Sequence, residues 1–449
     1  MRPIALSEFA RLCGGTLYGE DAPILGFATD HRQARPGDLF LAIKGAKVDG
    51  HDFAAQAVEA GAVGVIAERP LDVRHVRVTN LVEALAAFAL ARRSAFKGHV
   101  VGITGSNGKT TTKEFTAAAV APLGPTLKNP SSQNTEYTSP LLWAQAGDQA
   151  AVVAELAMRG FGQIAHLCSF TRPTVGVITM IGTAHIEMVG SREGIARSKS
   201  EILTGTEEGG AAILWAEDDF LSFLRTQARG PARTFGEGPD AELRVLGYRA
   251  LDWRRCVVRF GLAGATAEVE LPTVGRHQAR NAAAALLVAD TLGVPLERAA
   301  EAMTRAELPP MRMEGVPLRG ATVLMDAYNA SPDSTVAAMR TLSELPCQGR
   351  RIAVLGEMLE LGAFAESGHR RVGRVLAESP IDFALLVGEL VAHIEDEAVR
   401  AGYPESKLRR ASGIEDVAGL LRSVGPGDVV LLKGSRALGL ERALEEVAE

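Results

Sequence analysis

The sequence predicts an α/β protein of three domains, and three observations carry that expectation. Short apolar runs alternate with helical periodicity along most of the 449 residues, a length that suits about three domains. A glycine-rich turn, Gly105-Ser106-Asn107-Gly108-Lys109-Thr110-Thr111, joins one such run to a helix, as phosphate-binding turns do. A proline-rich point, Leu308-Pro309-Pro310-Met311, separates two strand-and-helix series.

The first domain is expected over residues 1–97. Its strand candidates at 37–43 and 62–67 flank a helix at 53–60, and a helix near 81–94 precedes the boundary at Phe96, Lys97 and Gly98. The second domain, 98–310, opens with a strand at 99–104, the glycine turn, and a Thr- and Ala-rich helix reaching about residue 120. Strands at 151–154, 174–180 and 211–214, with helices between them that include 191–202, require a largely parallel sheet. Residues 240–273 alternate in short β-like runs, and a helix at 277–289 follows. The third domain, 311–449, repeats the pattern. Its strands are expected at 321–325, 351–355, 383–387 and 428–432, with helices at 334–344, 369–377, 389–401 and 440–447. This is a Rossmann-like alternation without the usual glycine fingerprint.

Composition narrows the function. Lys and Arg number 48 against 54 Asp and Glu, a net charge of -6, so no general field holds nucleic acid or an anionic membrane. A 47% hydrophobic, 23% charged chain suits packed cores and argues against disorder. No secretion signal follows Met1 and no charge-free run spans a bilayer, so a cytoplasmic setting without membrane insertion is expected. Cys13, Cys168, Cys256 and Cys347 are too scattered for a metal knuckle or a close redox pair and are expected to act as small hydrophobes. No obligate protein partner is predicted.

The glycine turn carries the chemistry. Gly105 and Gly108 let the backbone approach a nucleoside triphosphate, Lys109 reaches its outer phosphates, and the helix that follows aims its N–H groups at them. Thr110 is placed to hold Mg²⁺, and Thr111 to cap the helix or touch phosphate. Ile103 stands where the general Gly-x₄-Gly-Lys-Ser/Thr pattern has its first glycine, with Gly102 one residue earlier. Lys113, one turn beyond Lys109, is expected to be solvated.

Glu155 ends the strand at 151–154, where a carboxylate binds a divalent cation or else caps a helix or joins an ion pair. His185, just past the strand at 174–180, is a ligand for a second Mg²⁺ or a phosphate, or a structural histidine. Lys199 lies on a helix. It is either a solvated lysine or, as a carbamate, an oxygen ligand.

Further blocks join the turn. They are Gly182-Thr183-Ala184-His185, Lys199-Ser200-Glu201-Ile202, Gly275-Arg276-His277-Gln278-Ala279-Arg280-Asn281, and Asp326 through Ser334. Gly356-Glu357 with Glu360-Leu361-Gly362, and Lys433-Gly434-Ser435-Arg436, complete the set. Together they resemble the bacterial Mur ligases over most of the chain, and Tyr328-Asn329-Ala330-Ser331-Pro332-Asp333 is similar to the dipeptide-adding branch. The resemblance implies the three-domain Mur ligase architecture. A UDP-muramyl substrate domain would be followed by a central P-loop ATPase-like domain and a C-terminal Rossmann-like domain that binds D-alanyl-D-alanine.

The activity implied is ATP- and Mg²⁺-dependent joining of D-alanyl-D-alanine to UDP-N-acetylmuramoyl-tripeptide through an acyl phosphate. Lys109, His185 and Lys199 would then be catalytic; Thr110, Glu155, His185 and carbamylated Lys199 would hold metal. ATP would meet the turn residues Gly105 to Thr111 with Asn281, Arg312 and Asp326, and His277 would orient that region. Arg32, Lys44, Asp49 and Asn134 would face the UDP-muramyl substrate. His31 interrupts the usual Asp-Ser-Arg pattern there, and Thr138 stands where glycine is common. Asn329, Pro332, Glu357 and Arg436 would contact D-alanyl-D-alanine or a neighbouring domain. Three other readings compete: a diaminopimelate- or lysine-adding relative, which would carry an Asp-Asn-Pro-Arg-like element; a folate polyglutamate ligase; and a nucleotide-controlled binding protein.

Overall fold

Three β-sheets, each wrapped by its own helices, organise the computed structural model, which describes residues 2–45, 47–130 and 133–448. The first sheet has five strands in the order Thr16–Tyr18, His75–Arg77, Gly64–Ala67, Asp38–Leu41, Gly26–Ala28. Only the first pair runs antiparallel. Side chains alternate across a strand, so Leu39 and Leu41 pack with Phe9, Leu85 and Phe88 on one face, while Phe40 packs with Ala54 and Ala57 on the other. Both faces are covered, which is why these strands read as unbroken apolar runs.

The central sheet has nine strands. From one edge they are Thr126–Lys128, Ala151–Glu155, His99–Thr104, Val175–Ile178, Ala211–Trp215, Ala232–Gly236, Leu243–Ala250, Cys256–Leu262 and Ala265–Leu271. The first seven run parallel, and the seventh, Leu243–Ala250, continues with the last two as an antiparallel meander, the alternating region at 240–273. Strand His99–Thr104 lies between Ala151–Glu155 and Val175–Ile178, so the glycine turn emerges beside Glu155 and Thr179. Strand 174–180 is shorter than the sequence predicted because the chain leaves the ladder at Thr179, and the Met180 carbonyl accepts the Ser106 amide instead.

The third sheet runs Glu314–Leu318, Ala321–Asp326, Val429–Lys433, Arg351–Gly356, Phe383–Val387, Leu408–Ala411. All but the first strand are parallel. Helices Pro332–Glu344, Ala365–Ala377 and Ala392–Arg400 pack on one face, and Ile414–Arg422 with Glu441–Ala448 on the other, a doubly wound Rossmann-like arrangement. One hydrophobic cluster continues across the junction, joining Ile181 and Ile186 of the central layer to Val336, Met339 and Met358 of the third.

Cys13, Cys168 and Cys256 are buried, and burial pushes their thiols up to about 11, 12 and 12. Cys347 is only half-buried. No helix among the described residues is long and apolar enough to cross a membrane.

Candidate active site at the domain junction

Gly105 has φ +149° and Gly108, at the helix N-cap, has φ +82°. Each is a conformation that favours glycine, and space reinforces the requirement: a Cβ on Gly105 would meet Thr179 Oγ1 at 1.8 Å and one on Gly108 would meet Asn281 Oδ1 at 2.4 Å. The helix Lys109–Ala119 therefore starts on a left-handed residue that leaves its first N–H groups facing outward. Lys109 folds back over the turn, and its Nζ donates to the carbonyls of Gly105 at 3.0 Å and Ser106 at 3.4 Å. Burial lowers its pKa, Glu155 opposes that shift and Arg312 adds to it.

The turn is braced on both sides. Thr179 Oγ1 donates to the Asn107 carbonyl at 2.5 Å, and Ser106 Oγ accepts the Gly182 amide at 2.9 Å. Thr110 and Thr111 are buried at its base.

Glu155 is 3% exposed. Its Oε1 accepts from Asn134 Nδ2 at 2.8 Å, while Oε2 is buried without a hydrogen-bond partner among the described residues. A carboxylate oxygen left that way is costly unless something positive meets it. Among the described residues no three His, Cys, Asp or Glu side chains gather into a metal cage. A hydroxyl and one carboxylate beside a phosphate turn instead suit Mg²⁺, which takes oxygen ligands and relies on phosphates and water.

Lys199, on helix Arg192–Thr204, is 1% exposed, and burial followed by nearby Lys109 holds its ammonium well below the usual lysine range. The expectation of a solvated lysine fails here. His185 sits in the left-handed region at φ +62°, and its Nδ1 lies 2.8 Å from Glu360 Oε2 of the third domain. Burial first, then Lys109, lower its pKa to about 4, with Glu360 opposing them.

A cavity of about 920 Å³ lies between the central and third domains. Ser106 to Thr111, Glu155 and His185 line one side, and Lys199 is not among the lining residues. Asn281 and His277 lie beside the turn on helix Arg276–Thr291, where Asn281 Nδ2 donates to Gln278 Oε1 at 2.9 Å. Burial pushes His277 down to about 3. From the third domain come Arg312, its guanidinium 4.2 Å from the Tyr328 ring centroid, and Asp326, whose Oδ2 pairs with Lys433 Nζ at 3.0 Å. Asn329 lines the same wall. Asn134, held by Glu155, lines the cavity together with Tyr137.

Other candidates stand apart. Pro332 is buried as the first residue of its helix. Glu357 is absent from the cavity wall; its Oε2 accepts the amides of Glu389 and Leu390 at 3.1 and 3.3 Å, bracing a turn. Arg436 is exposed, pairs with Glu441 at 2.9 Å and reaches Met311 Sδ. In the first domain Arg32 forks onto Asp30 at 2.6 and 3.0 Å, Asp49 accepts from the His51 amide and ring, and Lys44 bridges Asp49 through the backbone. None of these three lines the cavity.

Several residues escaped the sequence reading. Asp333 Oδ2 accepts from the Thr183 amide and hydroxyl, both at 2.9 Å, and its Oδ1 meets Arg371 at 2.7 Å. Lys433 was visible only as part of a block. Lys113, expected in solvent, is fully buried, with its Nζ donating to the Asn129 carbonyl at 2.7 Å. No sequence signal marked it: Thr110, Thr111 and Thr112 before it are polar residue types, and their burial shows only in the fold.

Comparison with known proteins agrees with this arrangement. The Mur ligase middle domain matches residues 103–289, the Mur ligase glutamate ligase domain 311–436, and the Mur ligase family catalytic domain 24–93. A UDP-N-acetylmuramoyl-tripeptide--D-alanyl-D-alanine ligase of Bacillus subtilis is 31% identical, with 99% of this chain and 98% of that protein covered. Among solved structures, MurF of Acinetobacter baumannii has a TM-score of 0.89 at 30% identity, covering 100% of this chain and 99% of that one. MurF of Thermotoga maritima in complex with ADP has a TM-score of 0.81 at 31% identity, covering 93% and 96%. Sequence, domain order and fold agree over the full length: the chain belongs to the Mur ligase family.

Proposed function

We propose that this protein uses ATP to join D-alanyl-D-alanine to UDP-N-acetylmuramoyl-tripeptide, a cytoplasmic step of peptidoglycan precursor synthesis. The observation that carries the reading is the shared cavity, in which a phosphate turn from one domain faces Asp326, Asn329 and Lys433 of another. Similarity to the Bacillus subtilis ligase supports the choice of substrates.

The tripeptide's terminal carboxylate attacks the γ-phosphorus of ATP, breaking its bond to the bridging oxygen and releasing ADP. The amine of the dipeptide then attacks the acyl carbon. The acyl C–O bond breaks, its oxygen and electron pair leave with phosphate, the nitrogen sheds a proton, and the amide remains. Lys109 and the helix N-terminus offset charge on the transferred phosphoryl group. Asn281, Arg312 and Asp326 hold the nucleotide, with His277 orienting that side, and Asn134 guides the peptide.

Thr110 and Glu155 would hold Mg²⁺, and His185 with carbamylated Lys199 a second ion. The Glu155 oxygen without a partner among the described residues and the depressed Lys199 amine support this, because a neutral amine is the form that captures CO₂. Bound Mg²⁺ would neutralise phosphate-oxygen charge. Arg32, Lys44 and Asp49 would meet the uridine nucleotide in a first domain spanning 1–97, ahead of a catalytic domain at 98–310 and a dipeptide-binding domain at 311–449. Asn329 would face the dipeptide, whereas Pro332, Glu357 and Arg436 would support the fold around it.

Incubation with ATP, D-alanyl-D-alanine and either the diaminopimelate or the lysine tripeptide tests the reading. Pentapeptide and ADP should appear in equal amounts with at least one tripeptide. ADP release without pentapeptide from either would overturn it.

A further inference from the structure

Lys113 has no part in the reaction just described, yet it is among the largest fully buried side chains of the protein. Burying an ammonium is costly unless its donors are satisfied. Here Nζ donates to the Asn129 carbonyl at 2.7 Å and lies 3.1 Å from Glu114 Oε1, and the other Glu114 oxygen meets Lys128.

Asn129 explains the arrangement. It follows strand Thr126–Lys128, whose ladder with Ala151–Glu155 ends at the pair Lys128 and Val153. Beyond that point the Asn129 side chain replaces the backbone. Its Oδ1 accepts the Glu155 amide at 2.8 Å, and its Nδ2 donates to the Glu155 carbonyl at 3.3 Å and to the Gln133 carbonyl at 2.8 Å. One buried amide therefore clamps both backbone groups of Glu155 and ties in the segment leading to Asn134, which holds Glu155 Oε1. The carboxylate is fixed from two directions, and Oε2 is left buried without a hydrogen-bond partner among the described residues, on a side chain that lines the cavity.

We propose that Lys113 and Asn129 are positioning residues: the lysine, anchored on the phosphate helix, locks Asn129, and Asn129 aims the Glu155 carboxylate at the metal beside the bound nucleotide. The same helix carries Lys109 and Thr110, so phosphate turn and carboxylate share one rigid frame. The proposal rests on Glu155 facing Mg²⁺.

The test compares wild type with Lys113→Met, Lys113→Arg and Asn129→Ala in the full-length protein. Three readouts are taken: ADP affinity with and without Mg²⁺, Mg²⁺ dependence of turnover, and amide hydrogen exchange at Glu155. Lys113→Met and Asn129→Ala should weaken Mg²⁺-dependent ADP binding roughly 10–100-fold, the range for residues that orient metal ligands. Metal-free ADP affinity should hold, Glu155 exchange should accelerate, and Lys113→Arg should recover part of the loss.

A folded Lys113→Met protein with wild-type Mg²⁺ dependence and wild-type Glu155 exchange would overturn the proposal. So would equal losses with and without metal, the mark of a merely structural role. Should Lys113→Met fail to fold, Asn129→Ala alone decides by the same criteria. If wild-type ADP affinity ignores Mg²⁺, or Glu155→Gln leaves its Mg²⁺ dependence intact, the reading of Glu155 fails and the proposal with it. Wild-type Mg²⁺ dependence and Glu155 exchange in Lys113→Met and Asn129→Ala, with Glu155→Gln losing its Mg²⁺ dependence, isolates a failure of the positioning proposal.

Discussion

Lys199 is buried and Lys109 half-buried on the cavity wall, and each lowers the pKa of a neighbour: Lys109 acts on Lys199, and both act on His185. Cations concentrated in this way are unfavourable until anions arrive, which suits a site that receives a triphosphate. Lys109→Ala should reduce kcat/KM by roughly 10²–10³-fold, the usual cost of removing one preorganised charge donor; steady-state kinetics at saturating Mg²⁺ checks it. Near-normal efficiency would dismiss the proposed role. His277 makes a pH-dependent prediction. Its folded pKa of about 3 lies below the unfolded value near 6.5, so the unfolded chain binds the extra proton first as pH falls. Its penalty is absent above pH 6.5, grows on acidification and levels off near pH 3. At pH 4.5 it amounts to roughly 2–3 kcal/mol. Denaturant melts at pH 7 and 4.5 should show His277→Asn losing less stability than wild type over that interval, and parallel losses would refute this.

The left-handed start of helix Lys109–Ala119 sets the phosphate turn at the scale of the element. In Gly108→Ala the backbone alone costs about 1–2 kcal/mol, and the new methyl also strikes Asn281. ADP affinity by calorimetric titration should fall by about tenfold or more, and an unchanged Kd would contradict the geometry. The turn was legible in the sequence because its chemistry is local: two glycines, a lysine and two threonines in fixed order between an apolar strand and a helix. The doubly covered strands were legible too, since burial on both faces leaves an unbroken apolar run. Strand Glu314–Leu318 was not, because it lies at a sheet edge and carries Gly315 and Pro317, and Leu408–Ala411 is an edge strand bearing two arginines. Lys113 was misread for a different reason. Helical spacing puts it a turn from Lys109, but only tertiary packing shows that the Asn129 carbonyl waits for it. Glu357 and Arg436 were legible as parts of blocks, yet sequence cannot separate a residue that faces a cavity from one that braces the turn behind it.

At the scale of the whole molecule, the reaction needs two domains held together, because the phosphate turn belongs to one and Asn329 and Lys433 to the other. The joint between them carries two non-glycine residues in left-handed conformations, Met311 at φ +58° and Met313 at φ +56°. Each costs of order 1–3 kcal/mol unless its surroundings enforce it. What holds the domains in place is partly the shared apolar cluster and partly three polar contacts around the cavity: His185 with Glu360, Asn107 with Ser331, and Thr183 with Asp333. The last is the best satisfied, since one carboxylate oxygen accepts both the amide and the hydroxyl of Thr183 while the other holds Arg371. Hydrogen bonds to a charged partner contribute about 1.5–3 kcal/mol, enough to shift a closed arrangement toward an open one once removed. Asp333→Ala should therefore enlarge the radius of gyration of the unliganded protein in X-ray scattering and lower kcat. ADP affinity should fall less than kcat, because the phosphate turn stays in the central domain while only Arg312 and Asp326 are drawn away with the third. Asp333→Asn keeps one acceptor oxygen for Thr183 but no charge for Arg371, so it should fall between the two. A closed scattering profile together with wild-type kcat in Asp333→Ala would show that the apolar cluster alone holds the domains.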